Sequence, residues 1–153
     1  MVNTLSKLRQ WLAGVLALGL AGTAVELLLL EHYEDPWQLV PLLLIVLALG
    51  ILIWHVARPC TASVRALQVT MASFLLASVA GVWLHFRGAA EFQIEIDPAM
   101  SKWNLVKNVM RAKAPPVLAP GVMLQLGLIG LAYTYRYPRI PPSADGYSRS
   151  EAT

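Results

Sequence analysis

Four long apolar runs constrain the fold of this chain more than any other feature. They lie at residues 11–30, 37–56, 66–86 and 117–135, and about 20 apolar residues are enough for a helix to cross the hydrocarbon core of a bilayer. Inside a bilayer each run must be helical, because every backbone N–H and C=O has to be hydrogen-bonded internally. The sequence therefore predicts an all-α integral membrane protein, a four-transmembrane-helix bundle.

The composition indicates that much of the surface of the chain faces lipid. Of 153 residues, 57% are hydrophobic and only 14% are charged, whereas soluble domains carry about a quarter charged residues. The formal net charge is +3, but the basic residues lie mostly at the ends of the apolar runs. This placement is typical of topology determinants and argues against nucleic acid as a partner.

The basic residues also predict the orientation. The side that holds both termini carries more Lys and Arg than the other, where four of the five lie deep in a long loop and count less. We therefore expect a multi-pass protein of a bacterial-type inner membrane with both termini cytoplasmic. The alternative for the first run is a secretory signal cleaved near Ala21–Ala24, but the run continues to Leu30, too long for a typical signal core.

The segments outside the runs carry local signals. Asp35-Pro36 and Asp97-Pro98 predict helix starts, with Asp as the N-cap and Pro at the first helical position. Residues 98–113 have helical periodicity, with Met100, Trp103, Val106 and Met110 on one face, which predicts an amphipathic helix in the outer interface. Residues 91–97, "EFQIEID", alternate as a strand does. Residues 138–153 have the composition of a disordered cytoplasmic tail.

Small residues predict where the helices pack closely. Association of helices in lipid depends on close packing of small side chains. The third run has small residues along one face, namely Thr70, Ser73, Ala77 and Gly81. The fourth run contains two glycines three residues apart, Gly127 and Gly130. We expect the third helix to be central, and we expect Gln68 and Gln125 to make hydrogen bonds between helices.

Glu26 is the most informative polar residue, because it lies inside the first apolar run. Its position is about four residues, or roughly 6 Å, from the outer end of that run. An ionisable group there is costly if it faces lipid. We expect Glu26 to be satisfied by His85 or Arg87 at the outer end of the third run, with Tyr33 on the same helical face, as a clasp between helices or as a polar site.

The outer side also collects groups that suit a metal, a proton or a cationic solute. His32, Glu91, Glu95 and Trp103 are the candidates in the outer loops, and imidazole with carboxylate is a ligand set for zinc or copper. No HxxxH or HxxE spacing supports a metal site. A haem held by two histidines requires both at one depth on facing helices. His32 and His85 are the only pair that could satisfy this, but we expect His32 to lie in the loop after the first run.

The remaining candidates indicate structural roles. His55 and Trp54 lie at the inner end of the second run and are interpreted as interfacial anchors. Cys60 is the only cysteine, so an intrachain disulfide and a zinc site built on several thiolates are excluded.

No catalytic motif supports an enzyme, although this absence does not exclude one. The mixed-charge loop from Arg87 to Ala114, with Trp103 and the strand-like segment 91–97, favours a non-enzymatic accessory or scaffold protein. We expect it to bind a membrane-protein partner, or a second copy, through this outer loop. The alternatives are a small oligomeric transporter or channel that uses Glu26, and a haem- or metal-binding protein that uses His32 and His85.

Overall fold

The chain is helical throughout the part that the structure describes. The structure is a computed structural model and describes residues 2–112 and 117–137. Five helices follow one another: α1 (Val2–Leu29), α2 (Pro36–Ala57), α3 (Thr61–Ile96), α4 (Lys102–Met110) and α5 (Leu118–Thr134). The predicted all-α class is confirmed. The predicted disordered tail, 138–153, lies outside the described residues.

Three of these helices are long and apolar enough to cross a membrane: α1 from Thr4, α2 and α3. The fourth predicted span corresponds to α5, a shorter apolar helix of 17 residues. The outward faces of the long helices are apolar; Leu18, Val46 and Leu76 are each at least 66% exposed. Such a surface is typical of helices that face lipid rather than water.

The start of α2 confirms one of the two predicted helix starts. Asp35 is the N-cap and Pro36 is the first helical residue, and the Gln38 side chain accepts a hydrogen bond from the backbone N–H of Asp35 at 3.4 Å. The second prediction is wrong. Asp97 ends α3, and α4 begins after Ser101, whose hydroxyl accepts a hydrogen bond from the Asn104 N–H at 3.4 Å.

The strand indicated by the periodicity of residues 91–97 does not form, because α3 continues through this segment to Ile96. A lone strand would leave its backbone groups without partners, whereas a continued helix satisfies them within the segment. No proline interrupts α3 before Pro98, so nothing ends the helix earlier.

The helix predicted over residues 98–113 is shorter in the structure, where α4 covers Lys102–Met110. It packs on α3 and buries Val109. Trp103, Val106 and Met110, which were predicted to share the apolar face, are exposed. The position of this helix in the membrane interface stays a prediction.

The long helices pack in a ring in which α1 contacts α2 and α5, and α3 contacts α2 and α5. Helix α3 has two neighbours in this ring, as α1, α2 and α5 do, and α4 also packs on it; the ring therefore has no central helix. The core consists of large apolar side chains from all four long helices: Leu16, Leu20, Ile45, Leu52, Leu67, Met71, Phe74, Met123 and Leu126.

The glycines of α5 allow its close approach to α3. A Cβ at Gly127 would lie 2.9 Å from the backbone oxygen of Met71, and one at Gly130 would overlap the Met71 side chain. Gln68 Nε2 donates to the Thr134 carbonyl at 3.5 Å and joins the same two helices, as predicted. Gln125 is exposed and makes no hydrogen bond with the described residues, so its predicted interhelical bond is wrong.

Candidate functional site

The polar groups lie at the two ends of the ring of helices. We call the end that holds Arg9, Arg58 and Arg136 the terminal end, and the end that holds His32 and His85 the loop end. All acidic residues of the described chain belong to the loop end: Glu26, Glu31, Glu34, Asp35, Glu91, Glu95 and Asp97.

At the loop end, the structure brings His32 and His85 together as two stacked rings. Their centroids are 6.1 Å apart and their planes differ by 18°. The turn after α1 positions His32: its N–H donates to the Leu27 carbonyl at 2.9 Å, and Glu31 has the left-handed φ of 53°. Partial burial, and then the nearby His85, lower the pKa of His32 below its usual value. The neutral form of His32 is therefore favoured at this position.

Arg87 forms an ion pair with a residue of its own helix. Its Nε lies 2.8 Å from Glu91 Oε1, one turn along α3, and its guanidinium carbon lies 5.7 Å from the centroid of the Trp83 ring. Both charged side chains are about 60% exposed, and an ion pair of this kind contributes on the order of 0.5 kcal/mol. Arg87 is thus not available to Glu26.

The predicted clasp from Glu26 to His85 or Arg87 does not form. Glu26 is exposed, and in the described part of the chain its carboxylate has no hydrogen bond or ion pair. The reason is the order of the ring, in which the neighbours of α1 are α2 and α5 rather than α3. Tyr33 is exposed as well.

The other loop-end candidates are spread along α3 and α4. Glu95 and Trp103 are exposed, and Lys107 Nζ lies 5.2 Å from the centroid of the Trp103 ring. Over residues 2–112 and 117–137, no three or more His, Cys, Asp or Glu side chains are grouped so that they could hold a metal ion. The stacked histidines are the part of the predicted site that the fold assembles.

The terminal end contains a polar cluster around His55 that sequence reasoning missed. His55 is only 1% exposed, and its Nδ1 lies 2.8 Å from Ser63 Oγ. The Ser63 hydroxyl donates to the Cys60 carbonyl at 2.9 Å and accepts from the Cys60 N–H at 3.1 Å. Its second lone pair accepts from His55 if the imidazole carries its proton on Nδ1, which leaves Nε2 as an acceptor. Nε2 is buried and has no partner among the described residues.

Two tyrosines and an arginine surround this imidazole. The Tyr133 and Tyr137 rings lie edge-on to His55, with centroids 5.7 and 4.8 Å away. Arg9, from the first turns of α1, donates from Nη2 to the Arg136 carbonyl at 3.1 Å, and its guanidinium carbon lies 5.5 Å from the Tyr137 centroid. Helices α1, α2, α3 and α5 therefore all contribute to one cluster.

A cavity of about 470 Å³ opens beside this cluster. Its walls combine polar groups with the apolar surfaces of α1 and α2: Ser6, Arg9, Gln10, Ala13, His55, Val56, Pro59, Tyr133 and Tyr137. The volume falls within the range of small-molecule sites, but the cavity is open on one side rather than enclosed. The signals present in the sequence were a lone histidine at the end of the second run and the "YTYRY" segment at the end of the fourth.

The sequence matches no known family model, and no curated protein or solved structure is significantly similar to it.

Proposed function

We propose that this chain is a non-enzymatic accessory protein of a bacterial-type inner membrane that binds another membrane protein through its loop end. In this proposal α1, α2, α3 and α5 all cross the bilayer, and both termini are cytoplasmic. The observation that carries the proposal is the apolar surface formed by the last ten residues of α3 together with α4. We call residues 87–112 the projecting unit.

The length of α3 supports a projection beyond the membrane. Its 36 residues extend about 54 Å at 1.5 Å per residue, whereas the hydrocarbon core is about 30 Å thick. If the span ends at Phe86, residues 87–96 continue the helix for about 15 Å. Helix α4 then folds back onto α3, and Ala90 and Val109 are buried there.

The projecting unit exposes large apolar side chains where a lipid-facing surface is no longer needed. Phe92, Ile96 and Trp103 are 60, 64 and 66% exposed. Phe92 and Ile96 lie one turn apart on one face of α3. Exposed aromatic and aliphatic groups of this kind, with charged residues at their edge, are typical of binding surfaces.

Photocrosslinking from the projecting unit tests the proposal. We would replace Phe92 or Trp103 by a benzophenone amino acid in the full chain and irradiate intact membranes. Val46, which is 66% exposed in the middle of α2, is the control, because it is equally exposed but faces lipid in the proposed topology. We expect an adduct of one reproducible mass from both positions of the unit and none from Val46.

The mass of the adduct distinguishes the two kinds of partner. An adduct of twice 16.7 kDa would identify a second copy of the chain, and another single mass would identify a different protein. The double substitution Phe92→Ser with Ile96→Ser should reduce the adduct from Trp103 by about tenfold if one surface binds the partner. Identical adducts from Val46 and Trp103 would contradict the proposal.

A transport function that uses Glu26 requires an assembly of several copies. Glu26 faces away from the ring of helices, so a conduction path containing it would run between chains rather than through one. Normal flux in a Glu26→Gln variant would exclude this role.

A haem or metal role for His32 and His85 remains an alternative because the two rings lie 6.1 Å apart. Their stacking does not itself support the role, since the nitrogen lone pairs lie in the ring planes and do not point across the stack. The absorption spectrum and metal content of the purified protein test this role directly.

A further inference from the structure

The terminal end has an unbalanced charge in the described chain. It carries five basic residues, Lys7, Arg9, Arg58, Arg65 and Arg136, and none of the described acidic residues. Basic pockets between membrane helices are a recognised form of site for anionic lipid headgroups. A ligand of the cavity beside His55 therefore meets positive charge that no carboxylate in the described chain neutralises.

Arg9 is the charged group at the cavity wall. Its guanidinium is held by the Arg136 carbonyl at 3.1 Å and by the Tyr137 ring. The bond to the carbonyl uses one of several N–H donors, and the planar guanidinium suits the oxygens of a phosphate. Because the side chain is already oriented, little conformational freedom is lost when an anion binds.

His55 can supply a second donor to the same ligand. If the Ser63 hydroxyl donates to Nδ1 instead of to the Cys60 carbonyl, the imidazole carries its proton on Nε2. Nε2 is buried, and His55 lines the cavity. The neutral ring thus offers an acceptor in one tautomer and a donor in the other. A buried Nε2 without a partner is costly unless something binds to it.

We propose that the cavity lined by Arg9, His55 and Tyr137 binds a phosphate ester oxyanion, either the headgroup of an anionic phospholipid or a free phosphate ester. Arg9 binds the charge, and Nε2–H of His55 donates to a phosphate oxygen. The apolar walls formed by Ala13, Val56 and Pro59 cover the glycerol or the rest of the ester. This site is independent of the partner bound by the projecting unit.

Lipid binding by the purified full chain in a nonionic detergent tests the inference. The probes are phosphatidylglycerol, phosphatidylcholine and inorganic phosphate, and the readouts are native mass spectrometry and the melting temperature. We expect phosphatidylglycerol to bind more tightly than phosphatidylcholine, whose choline neutralises the phosphate. Arg9→Gln should weaken phosphatidylglycerol binding about tenfold or more, since hydrogen bonds to charged groups contribute about 1.5–3 kcal/mol.

Lys7→Gln is the matched control, because it removes the same charge from the same helix at a residue that does not line the cavity. We expect it to change binding less than threefold. If Arg9→Gln fails to fold, Arg9→Lys keeps the charge without the forked donors and should still weaken binding. Equal weakening by Lys7→Gln and either Arg9 variant would overturn the proposal.

The third probe separates the two sources of phosphate. If inorganic phosphate raises the melting temperature of the wild type but not of the Arg9 variant, the site takes a soluble phosphate ester. If phosphatidylglycerol alone does so, the ligand is a lipid headgroup. If neither probe acts through Arg9, or phosphatidylcholine binds as tightly as phosphatidylglycerol, the proposal is wrong.

Discussion

The contact between His32 and His85 depends on the protonation state of His32. Burial and the neighbouring His85 lower the pKa of His32, so the folded chain binds fewer protons than the unfolded chain near the ordinary histidine pKa of about 6.5. The stability that this contact contributes is therefore fully present above about pH 6.5 and is lost as the pH falls through the lowered pKa of His32.

We accordingly predict that the melting temperature falls between pH 7.5 and 5.5, and that His85→Gln reduces this fall. Because His32 is only partly buried, screening by solvent keeps the difference small, roughly 2 °C for a chain of this length. Melting curves of both proteins in one detergent across this pH range are the measurement. A fall of the same size in His85→Gln would mean that the pair does not carry the effect.

Single residues were the hardest to predict from the sequence. The sequence placed His32 and His85 at one depth on the outer side but did not predict that their rings would lie 6.1 Å apart. The cluster at His55 was missed because its members are far apart in the sequence, from Arg9 to Tyr137. The contact expected for Glu26 required α1 and α3 to be neighbours. The depth of a residue along its helix does not show which helices pack against each other.

At the scale of helices, the contact between α3 and α5 depends on Gly127. A methyl group there would lie 2.9 Å from the Met71 backbone oxygen and 2.8 Å from Leu75 Cδ2, and a backbone atom cannot move away as a side-chain end can. We predict that Gly127→Ala destabilises the protein by about 1–3 kcal/mol through overpacking.

Gly121→Ala is the matched control in the same helix, because a Cβ there has no atom within 4 Å. Alanine is favoured over glycine in a helix by about 1 kcal/mol, so this variant should be at least as stable as the wild type. Unfolding of both variants from mixed micelles gives the comparison. If the two variants were similarly stable, α5 would be able to shift away from α3 without loss of stability, and the prediction would be wrong.

Helix positions were largely predictable, and helix ends less so. The second apolar run, 37–56, agrees closely with α2 (Pro36–Ala57), because Asp35 and Pro36 mark its start. The end of α3 was not predictable from hydropathy. Its last ten residues are more polar than the rest of the helix and yet remain helical. The alternation of Phe92, Ile94 and Ile96 with polar residues is the pattern expected of a strand.

At the scale of the molecule, the single cysteine provides a test of orientation. Cys60 lies between α2 and α3 at the terminal end and is half-buried. Hydrogen bonds from the Ser63 side chain and from the Ser63 N–H lower the pKa of its thiol, which favours the thiolate that reacts with maleimides.

In the proposed orientation, a membrane-impermeant maleimide should label Cys60 only after the membrane of intact cells is opened. The control replaces Cys60 by Ala and introduces Glu34→Cys at the loop end, where Glu34 is exposed, and this variant should be labelled in intact cells. The reverse pattern would place the termini outside and would move the projecting unit to the cytoplasm.

The order of the ring has a consequence for how the chain is made. Helix α5 is synthesised last, yet it packs between α1 and α3. Before α5 is synthesised, no helix covers the surface of α3 at Met71 that later contacts Gly130. In the proposed topology, in which α5 crosses the bilayer, this surface of the nascent chain would face lipid until α5 inserts and closes the ring.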